Sequence, residues 1–171
     1  MMIQERGGPL RKPSPSFAYE LVNKKPCPRD RRGRYPGQAE EKKWNGIHVD
    51  KSLEDKWLNQ LNSIQNVEIR GTCSGHGPEG GDSLEWVTYV AFRIDPSLEK
   101  KPIINKILKK LNSFKNTVAG SDIGMEGRPR FVVAAPLYYK CKRHNDWVNW
   151  WKNISAHISV AVNDSLPGGN R

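Results

Sequence analysis

A short repeat constrains the fold of this 171-residue chain more than any other sequence feature. Residues 61–66 read Leu-Asn-Ser-Ile-Gln-Asn, and residues 111–116 read Leu-Asn-Ser-Phe-Lys-Asn. In each copy a helical pattern precedes the repeated segment and strand-like residues follow it. Asn and Ser are also ordinary residues at helix ends, so the match by itself does not establish a duplication. The pattern nevertheless predicts the same helix-strand-strand unit twice.

Hydrophobic periodicity defines the elements around this repeat. Three amphipathic helices are predicted because apolar residues recur at helical spacing. Their apolar positions are Leu53, Trp57, Leu61 and Ile64; Ile104, Ile107, Leu108, Leu111 and Phe114; and Trp147, Trp150, Trp151, Ile154 and Ile158. The tryptophans are interpreted as core residues rather than as a surface that stacks bases. Strands are predicted at 47–49, 67–71, 86–94, from 118 onward, and at 131–135.

The resulting element order is β-α-β-β-α-β, followed by a further strand and a C-terminal helix. Such a tandem unit predicts an α+β fold with a ferredoxin-like antiparallel sheet and helices on one face. The strand at 86–94 is apolar on both faces, so we expect it near the centre of the sheet. A single domain at 46–165 is expected, with a short tail at 166–171. Residues 1–45 contain many Pro and Gly residues and predict an extended basic arm.

The charge balance predicts a polyanionic partner. The chain has 28 Lys and Arg against 18 Asp and Glu, a formal net charge of +10. Lys and Arg that neutralise phosphates release counterions, so nucleic acid is the first candidate. The predicted contacts are four arginines of the arm and two at the start of a strand: Arg29, Arg31, Arg32, Arg34, Arg128 and Arg130. A solvated tail is the alternative for the arm.

The sequence contains no secretion signal or apolar spanning segment, which predicts a soluble, cytoplasmic protein without a membrane partner. The cysteine count is odd, at three. Without a secretion signal this argues against a disulfide framework and leaves metal binding, catalysis or burial as roles for the thiols.

Two of the cysteines occur in the same C-x-x-H spacing. Cys73 precedes His76 by three positions, and Cys141 precedes His144 by three positions. A thiolate and an imidazole at this spacing can bind one Zn²⁺ from a turn, and two such turns complete a tetrahedral Cys₂His₂ site. The units are far apart in the chain, so they form one zinc site only if the fold brings them together. Two unrelated turns are the alternative.

A glycine-rich loop carries most of the reactive side chains. Gly75 and Gly77 allow a cofactor or anion to approach the backbone closely. Cys73, Ser74 and His76 are the candidate catalytic residues, with His76 as the local base for the thiol. The alternative is a long hairpin loop whose thiol packs against the sheet.

Three segments of the chain carry a family resemblance: Asp50-Lys51-Ser52, the helix through Leu61-Asn62-Ser63, and Thr72-Cys73-Ser74-Gly75. Together they resemble the tRNA wybutosine-synthesis methyltransferase family. The family signature is a Ser-Ser-Cys-Ser-Gly-Arg loop after such a helix and strand, and the likeness covers about residues 49–94. It implies an α+β enzyme that binds S-adenosylmethionine and acts on tRNA. His76 stands where the family has Arg.

Two further function classes remain open from the sequence. Ser74-Gly75-His76 followed by Asp82 is similar to the Ser-x-His motif of D-alanyl-D-alanine carboxypeptidases, which implies a zinc-dependent hydrolase. The Asp is one position too close, and the later Trp-His pair of that family is missing. A non-enzymatic interaction protein of a virus or mobile element is the third class. The leading prediction is a nucleic-acid-binding protein with a methyltransferase-like activity on RNA as an extension, and the sequence leaves open whether it is an enzyme.

Overall fold

The computed structural model describes residues 13–25, 40–75, 87–124, 126–136 and 144–168. Within these ranges the chain forms four α-helices and six strands, which confirms the α+β class. In chain order they are α1 (Pro13–Asn23), β1 (Glu41–Trp44), β2 (Ile47–Asp50), α2 (Asp55–Asn62), β3 (Val67–Ser74), β4 (Thr88–Ile94), α3 (Lys101–Leu111), β5 (Val118–Ile123), β6 (Pro129–Ala135) and α4 (His144–Asn163). No helix in the described ranges has both the length and the apolar character needed to cross a bilayer.

Four of the strands form one antiparallel sheet in the order β3-β4-β6-β5. The element order from β2 to α4 is the predicted one, and β4 is central as expected. The ferredoxin-like arrangement is not confirmed, because it requires β2 beside β4, where β6 pairs instead. β2 pairs with β1 in a separate hairpin. Asn45 and Gly46 supply the two positive φ angles, 45° and 77°, that a tight hairpin turn requires.

The repeated segments adopt matching local structures. The hydroxyl groups of Ser63 and Ser113 each donate to a carbonyl three residues earlier, at 2.8 and 2.6 Å. Asn66 and Asn116 both take left-handed backbone conformations, with φ of 63° and 57°. Each repeat therefore ends its helix in the same way and leads into a β-hairpin. The two helix-hairpin units meet where β4 pairs with β6.

The main core lies between one face of the sheet and the helices α2, α3 and α4. Phe92 of β4 and Phe131 of β6 are cross-strand partners, and their rings stack at a centroid distance of 5.0 Å. The three tryptophans of α4 are buried in this core, as predicted. At the α3–α4 contact, His157 stacks on Phe114 at 4.0 Å, and burial lowers the pKa of His157.

The opposite face of the sheet is partly covered by α1, which corrects the prediction of an extended arm. Ala18 of this helix is fully buried against the sheet, with Phe17 and Leu21 packed beside it. A Cβ atom at Gly120 of β5 would lie 2.7 Å from Leu21 Cδ2, so the missing side chain permits this close approach. The prolines at the start of α1 lie in the first helical turn, where a missing N–H is tolerated. The predicted boundary between arm and domain, at residues 45 and 46, lies within the β1–β2 turn and stays a prediction.

The repeat offers a matched test of how each helix is tied to the strand after it. The Asn112 side chain donates to the carbonyls of Leu108 and Ala119 and accepts from the Ala119 N–H, at 2.9 to 3.0 Å. Asn62, its counterpart in the first repeat, makes no side-chain hydrogen bond in the part of the chain that the structure describes. We expect Asn112→Ala to lower the free energy of unfolding by about 1–2 kcal/mol, and Asn62→Ala to leave it nearly unchanged. Urea denaturation of both variants measures the difference, and equal losses would contradict a specific role for Asn112.

Candidate functional site

The predicted reactive loop begins where β3 ends. Cys73 and Ser74 are the last two residues of this strand, and both are buried. Gly75 follows with a φ of 84°, a left-handed conformation that favours glycine. His76 and Gly77 lie outside the described residues. The structure therefore shows the base of the loop and the side chains beneath it.

The Cys73 side chain lies on the sheet face that α1 covers. It belongs to a small apolar cluster with Ala18 and Tyr89, and only 4% of the residue is exposed. Its Sγ atom accepts the Gly75 N–H at 3.5 Å, and its carbonyl accepts the Thr88 hydroxyl at 2.8 Å. A nucleophilic thiol needs access to substrate and a neighbouring base. The observed packing agrees better with the alternative of a thiol tucked against the sheet, and the catalytic role of Cys73 stays a prediction.

Ser74 faces the opposite side, toward α2 and α4. Its backbone N–H donates to Asp50 Oδ2 at 2.6 Å, and its carbonyl accepts the Trp147 indole N–H at 2.8 Å. Asp50 at the end of β2 and Trp147 at the start of α4 thus hold the end of β3 in place. The Ser74 hydroxyl is buried and has no hydrogen-bond partner among the residues that the structure describes, and the same is true of the Thr72 hydroxyl two residues earlier.

Three tryptophans pack against one another near the end of β3. Trp57 of α2 packs edge-on against Trp147 at 5.5 Å and stacks with Trp151 at 6.3 Å. The Trp151 indole N–H donates to the Thr88 hydroxyl at 3.1 Å. The Trp57 indole N–H is also buried and has no acceptor among the described residues. Buried polar groups are normally hydrogen-bonded, so each of these groups can still form a hydrogen bond with a water molecule or a ligand group.

The fold brings the described parts of the two C-x-x-H units to the same end of the sheet. His144 stacks on Trp147 at 5.7 Å, and Trp147 binds the Ser74 carbonyl. However, the Cys73 thiol lies on the other face of the sheet from α4. His76 and Cys141 lie outside the described residues, and within those residues no group of three or more metal-binding side chains occurs. The four-ligand zinc site stays a prediction.

The predicted nucleic-acid contacts divide into two groups. Arg29, Arg31, Arg32 and Arg34 lie outside the described residues. Arg128 Nη2 lies 2.7 Å from Glu99 Oε1, and Arg130 forms two hydrogen bonds with Asp122 at 3.0 and 2.6 Å. Both arginines already have carboxylate partners, so a phosphate would have to replace a carboxylate to bind them.

The predicted nucleic-acid contacts do not include an exposed lysine surface on and around α3. It comprises Lys100, Lys101, Lys106, Lys109, Lys110 and Lys115, all exposed and none in an ion pair with another described residue. No Asp or Glu occurs between Glu99 and Asp122. This acid-free interval is visible in the sequence and is the signal that would have identified the surface.

No family model, curated protein or solved structure matches this chain. The resemblance of residues 49–94 to the wybutosine-synthesis methyltransferases therefore rests on the quoted residues alone.

Paired tryptophan substitutions test the hydrogen bond that anchors the loop. Trp147→Phe removes the donor to the Ser74 carbonyl, whereas Trp57→Phe removes a buried N–H that has no acceptor. Both changes remove a similar area of ring. We expect Trp147→Phe to lower the free energy of unfolding by about 1–2 kcal/mol more than Trp57→Phe. Chemical denaturation measures this, and a larger loss in the Trp57 variant would contradict the assignment.

Proposed function

We propose that this protein binds nucleic acid through the lysine surface on α3, together with the arginines of the N-terminal arm. RNA is placed before DNA because the sequence resemblance is to a tRNA-modifying family. The observation that carries the proposal is the segregation of charge on the described part of the chain.

Positive charge on the described residues is concentrated in one place. These residues include seventeen Lys and Arg and thirteen Asp and Glu. Six of the lysines and none of the acids fall between Glu99 and Asp122, so the rest of the described chain is slightly acidic. Three lysines elsewhere are paired: Lys42 with Asp55 at 2.8 Å, Lys51 with Glu40 at 3.3 Å, and Lys56 with Glu54 at 3.7 Å. The α3 surface is thus the part that presents uncompensated charge to a polyanion.

The spacing of these lysines fits a phosphate backbone. Lys106, Lys109 and Lys110 are three and four residues apart, so they share one side of the helix. The eleven residues of α3 extend over roughly 16 Å at 1.5 Å per residue, a length that spans several phosphates of a strand. Lysine contacts to phosphates position a protein without reading base sequence. Binding is therefore expected to be salt-dependent and weakly sequence-specific.

Lysine neutralisation tests the proposal with a charge-matched control. The variant Lys106→Gln, Lys109→Gln, Lys110→Gln should bind a fluorescent single-stranded RNA more weakly. Its log–log slope of affinity against salt should be less steep by about two to three units, since each lost contact contributes about 0.7 to 0.9. The control Lys42→Gln, Lys51→Gln, Lys56→Gln removes the same charge from paired lysines and should change the slope little. Anisotropy titrations from about 50 to about 200 mM salt measure both.

The outcomes separate a binding surface from a general charge effect. Equal changes in both triple variants would mean that net charge, rather than the α3 surface, controls binding. No binding of RNA or duplex DNA at low salt would overturn the proposal. A separate variant, in which Gln replaces Arg29, Arg31, Arg32 and Arg34, tests whether the arm contacts phosphate. If all four arginines do so, the log–log slope of affinity against salt should become less steep by about three to four units.

A methyltransferase-like activity on RNA is the second candidate. It is favoured by the buried, unpartnered hydroxyls of Thr72 and Ser74 directly before Gly75, where the sequence places a cofactor loop. In this hypothesis Cys73, Ser74 and His76 act on the substrate, and Gly75 and Gly77 contact S-adenosylmethionine. Zinc-dependent hydrolysis remains the alternative, with Cys73, His76, Cys141 and His144 as the ligands proposed for Zn²⁺. Metal analysis of the purified protein distinguishes the two.

Ser74→Ala gives a clean test of the cofactor hypothesis. The Ser74 hydroxyl has no hydrogen-bond partner among the described residues, so its removal should leave the free energy of unfolding unchanged or slightly higher. If this hydroxyl, besides its proposed role on the substrate, also donates a hydrogen bond to S-adenosylmethionine held at Gly75, calorimetric affinity for that ligand should fall by about tenfold, the worth of one hydrogen bond. Gly75→Ala is less suitable, because a side chain at positive φ carries a backbone penalty of its own. Absence of any heat with the unchanged protein would remove the methyltransferase hypothesis.

A further inference from the structure

A row of charged residues crosses the sheet on the face opposite the main core. Glu68 of β3 is the cross-strand partner of Arg93, and Asp122 of β5 is the partner of Arg130. Phe92 pairs with Phe131, so the same register places Arg93 beside Arg130 at the next position. The order across the four strands is therefore acid, arginine, arginine, acid. Two like charges side by side on a sheet repel each other unless counterions are placed against them.

The two central arginines are not equally satisfied. Arg130 has a 4% exposed side chain and makes two hydrogen bonds with the Asp122 carboxylate. Arg93 has a 3% exposed side chain and makes one hydrogen bond, from Nη1 to Glu126 Oε2 at 2.6 Å. The Arg93 Nε–H is buried and has no acceptor within the described ranges. A desolvated guanidinium with five N–H groups and one acceptor retains a large unmet capacity for an anion.

A second arginine faces the same carboxylate. Arg70 lies at the register shift of β3, where its Nη1 donates to Glu68 Oε1 at 2.6 Å and its Nη2 is 3.7 Å from Glu126 Oε1. The Arg70 Nε–H is also buried, with no acceptor among the described residues. The Glu126 carboxylate thus lies between two guanidiniums from adjacent strands, and the Nε–H of each is unused in the described part of the chain. A tetrahedral oxyanion has more acceptor oxygens than a carboxylate and suits two arginine forks better.

Glu126 is placed so that it can be displaced. It does not belong to the sheet but to the turn between β5 and β6, where the Gly127 N–H donates to the Gly124 carbonyl at 2.9 Å. Its side chain is 47% exposed. The hydrogen bond from Arg93 lowers the pKa of Glu126, so its carboxylate is ionised at neutral pH and acts as an anion in place.

We propose that Arg70 and Arg93 form a binding site for a phosphate-type oxyanion, and that Glu126 occupies this site as an internal counterion that the ligand displaces. The phosphate group belongs either to free phosphate or to the end of a nucleic acid strand. The site lies on the opposite face of the sheet from α3, so it does not depend on the lysine surface.

Thermal unfolding in phosphate and in chloride at equal ionic strength tests the site. Glu126→Gln removes the competing carboxylate charge, and we expect its apparent phosphate affinity to exceed that of the unchanged protein by about tenfold or more. Glu54→Gln is the matched control, because it removes one carboxylate charge from an exposed ion pair with Lys56, which involves no arginine, and should leave the phosphate response unchanged. The double variant Glu126→Gln, Arg93→Lys keeps the positive charge at position 93 but lacks the paired N–H donors of a guanidinium. It should therefore lose the phosphate-specific gain in affinity.

Equal responses to phosphate and chloride in Glu126→Gln would overturn the proposal and identify the row as a structural ion network. If that variant does not fold, Glu126→Asp carries the same comparison, because its shorter side chain weakens the bridge while keeping the charge. An equal response of Glu126→Asp to the two anions would likewise overturn the site.

A 5′-phosphorylated oligonucleotide and its 5′-hydroxyl counterpart separate the two sources of phosphate. Tighter binding of the phosphorylated strand, lost on Arg93→Lys, assigns the site to a strand end. A response to inorganic phosphate alone assigns it to the free anion. The α3 triple-lysine variant should keep its phosphate response, so failure of the proposed nucleic-acid surface and failure of this site give different results.

Discussion

The pairing of β4 with β6 is the contact on which the rest of the fold depends. Both strands consist almost entirely of buried residues, so neither face of the central pair can be left in water. Burial of this apolar area is the main driving force available to the chain. Helices α2, α3 and α4 cover one face of the sheet, and α1 covers part of the other face. The helix-hairpin repeat provides two such strands, one from each unit, and their antiparallel pairing joins the units into one core.

Polar groups inside this core are placed at one end rather than distributed through it. Asp50 and Trp147 bind the backbone of Ser74 from two different elements, and Trp151 binds the Thr88 hydroxyl in the neighbouring strand. Each of these bonds joins residues far apart in the chain, so together they fix the direction in which β3 enters its loop. The Thr72 and Ser74 hydroxyls at the same end of β3 are buried and have no hydrogen-bond partner in the described part of the chain.

Charge is distributed differently on the two sides of the sheet. On the helical side the α3 lysines are exposed and unpaired, which suits a solvated, salt-dependent contact with a polyanion. On the other side Arg93 and Arg130 are almost fully buried, where each must have a carboxylate or another anion against it. The basic residues therefore belong to two proposed sites of different kinds. The exposed lysines would attract a polyanion over distance, whereas the buried arginines would select an anion by the geometry of their N–H groups.

Much of the secondary structure could be predicted from the sequence, because helical and strand periodicities are local. The helices bearing Trp57, Ile107 and Trp151, and the central position of β4, follow from the spacing of apolar residues. The lysines of α3 can also be seen in the sequence, although they are not among the predicted nucleic-acid contacts. The helix at Pro13–Asn23 does not follow from the sequence pattern, because proline usually interrupts a helix, whereas in a first turn it is compatible with one.

Which strands are neighbours was decided by the tertiary structure. The Asn45–Gly46 turn gives β2 a local partner and leaves the place beside β4 to β6, a choice between competing pairings that no single segment determines. The same holds for the sites. Arg70, Arg93 and Glu126 are unremarkable in sequence and become an anion site only through strand register, and Cys73 and Ser74, adjacent in the chain, point to opposite faces because side chains alternate along a strand. The sequence by itself determined where helices, strands and charges occur, while cross-strand register decided which of them meet.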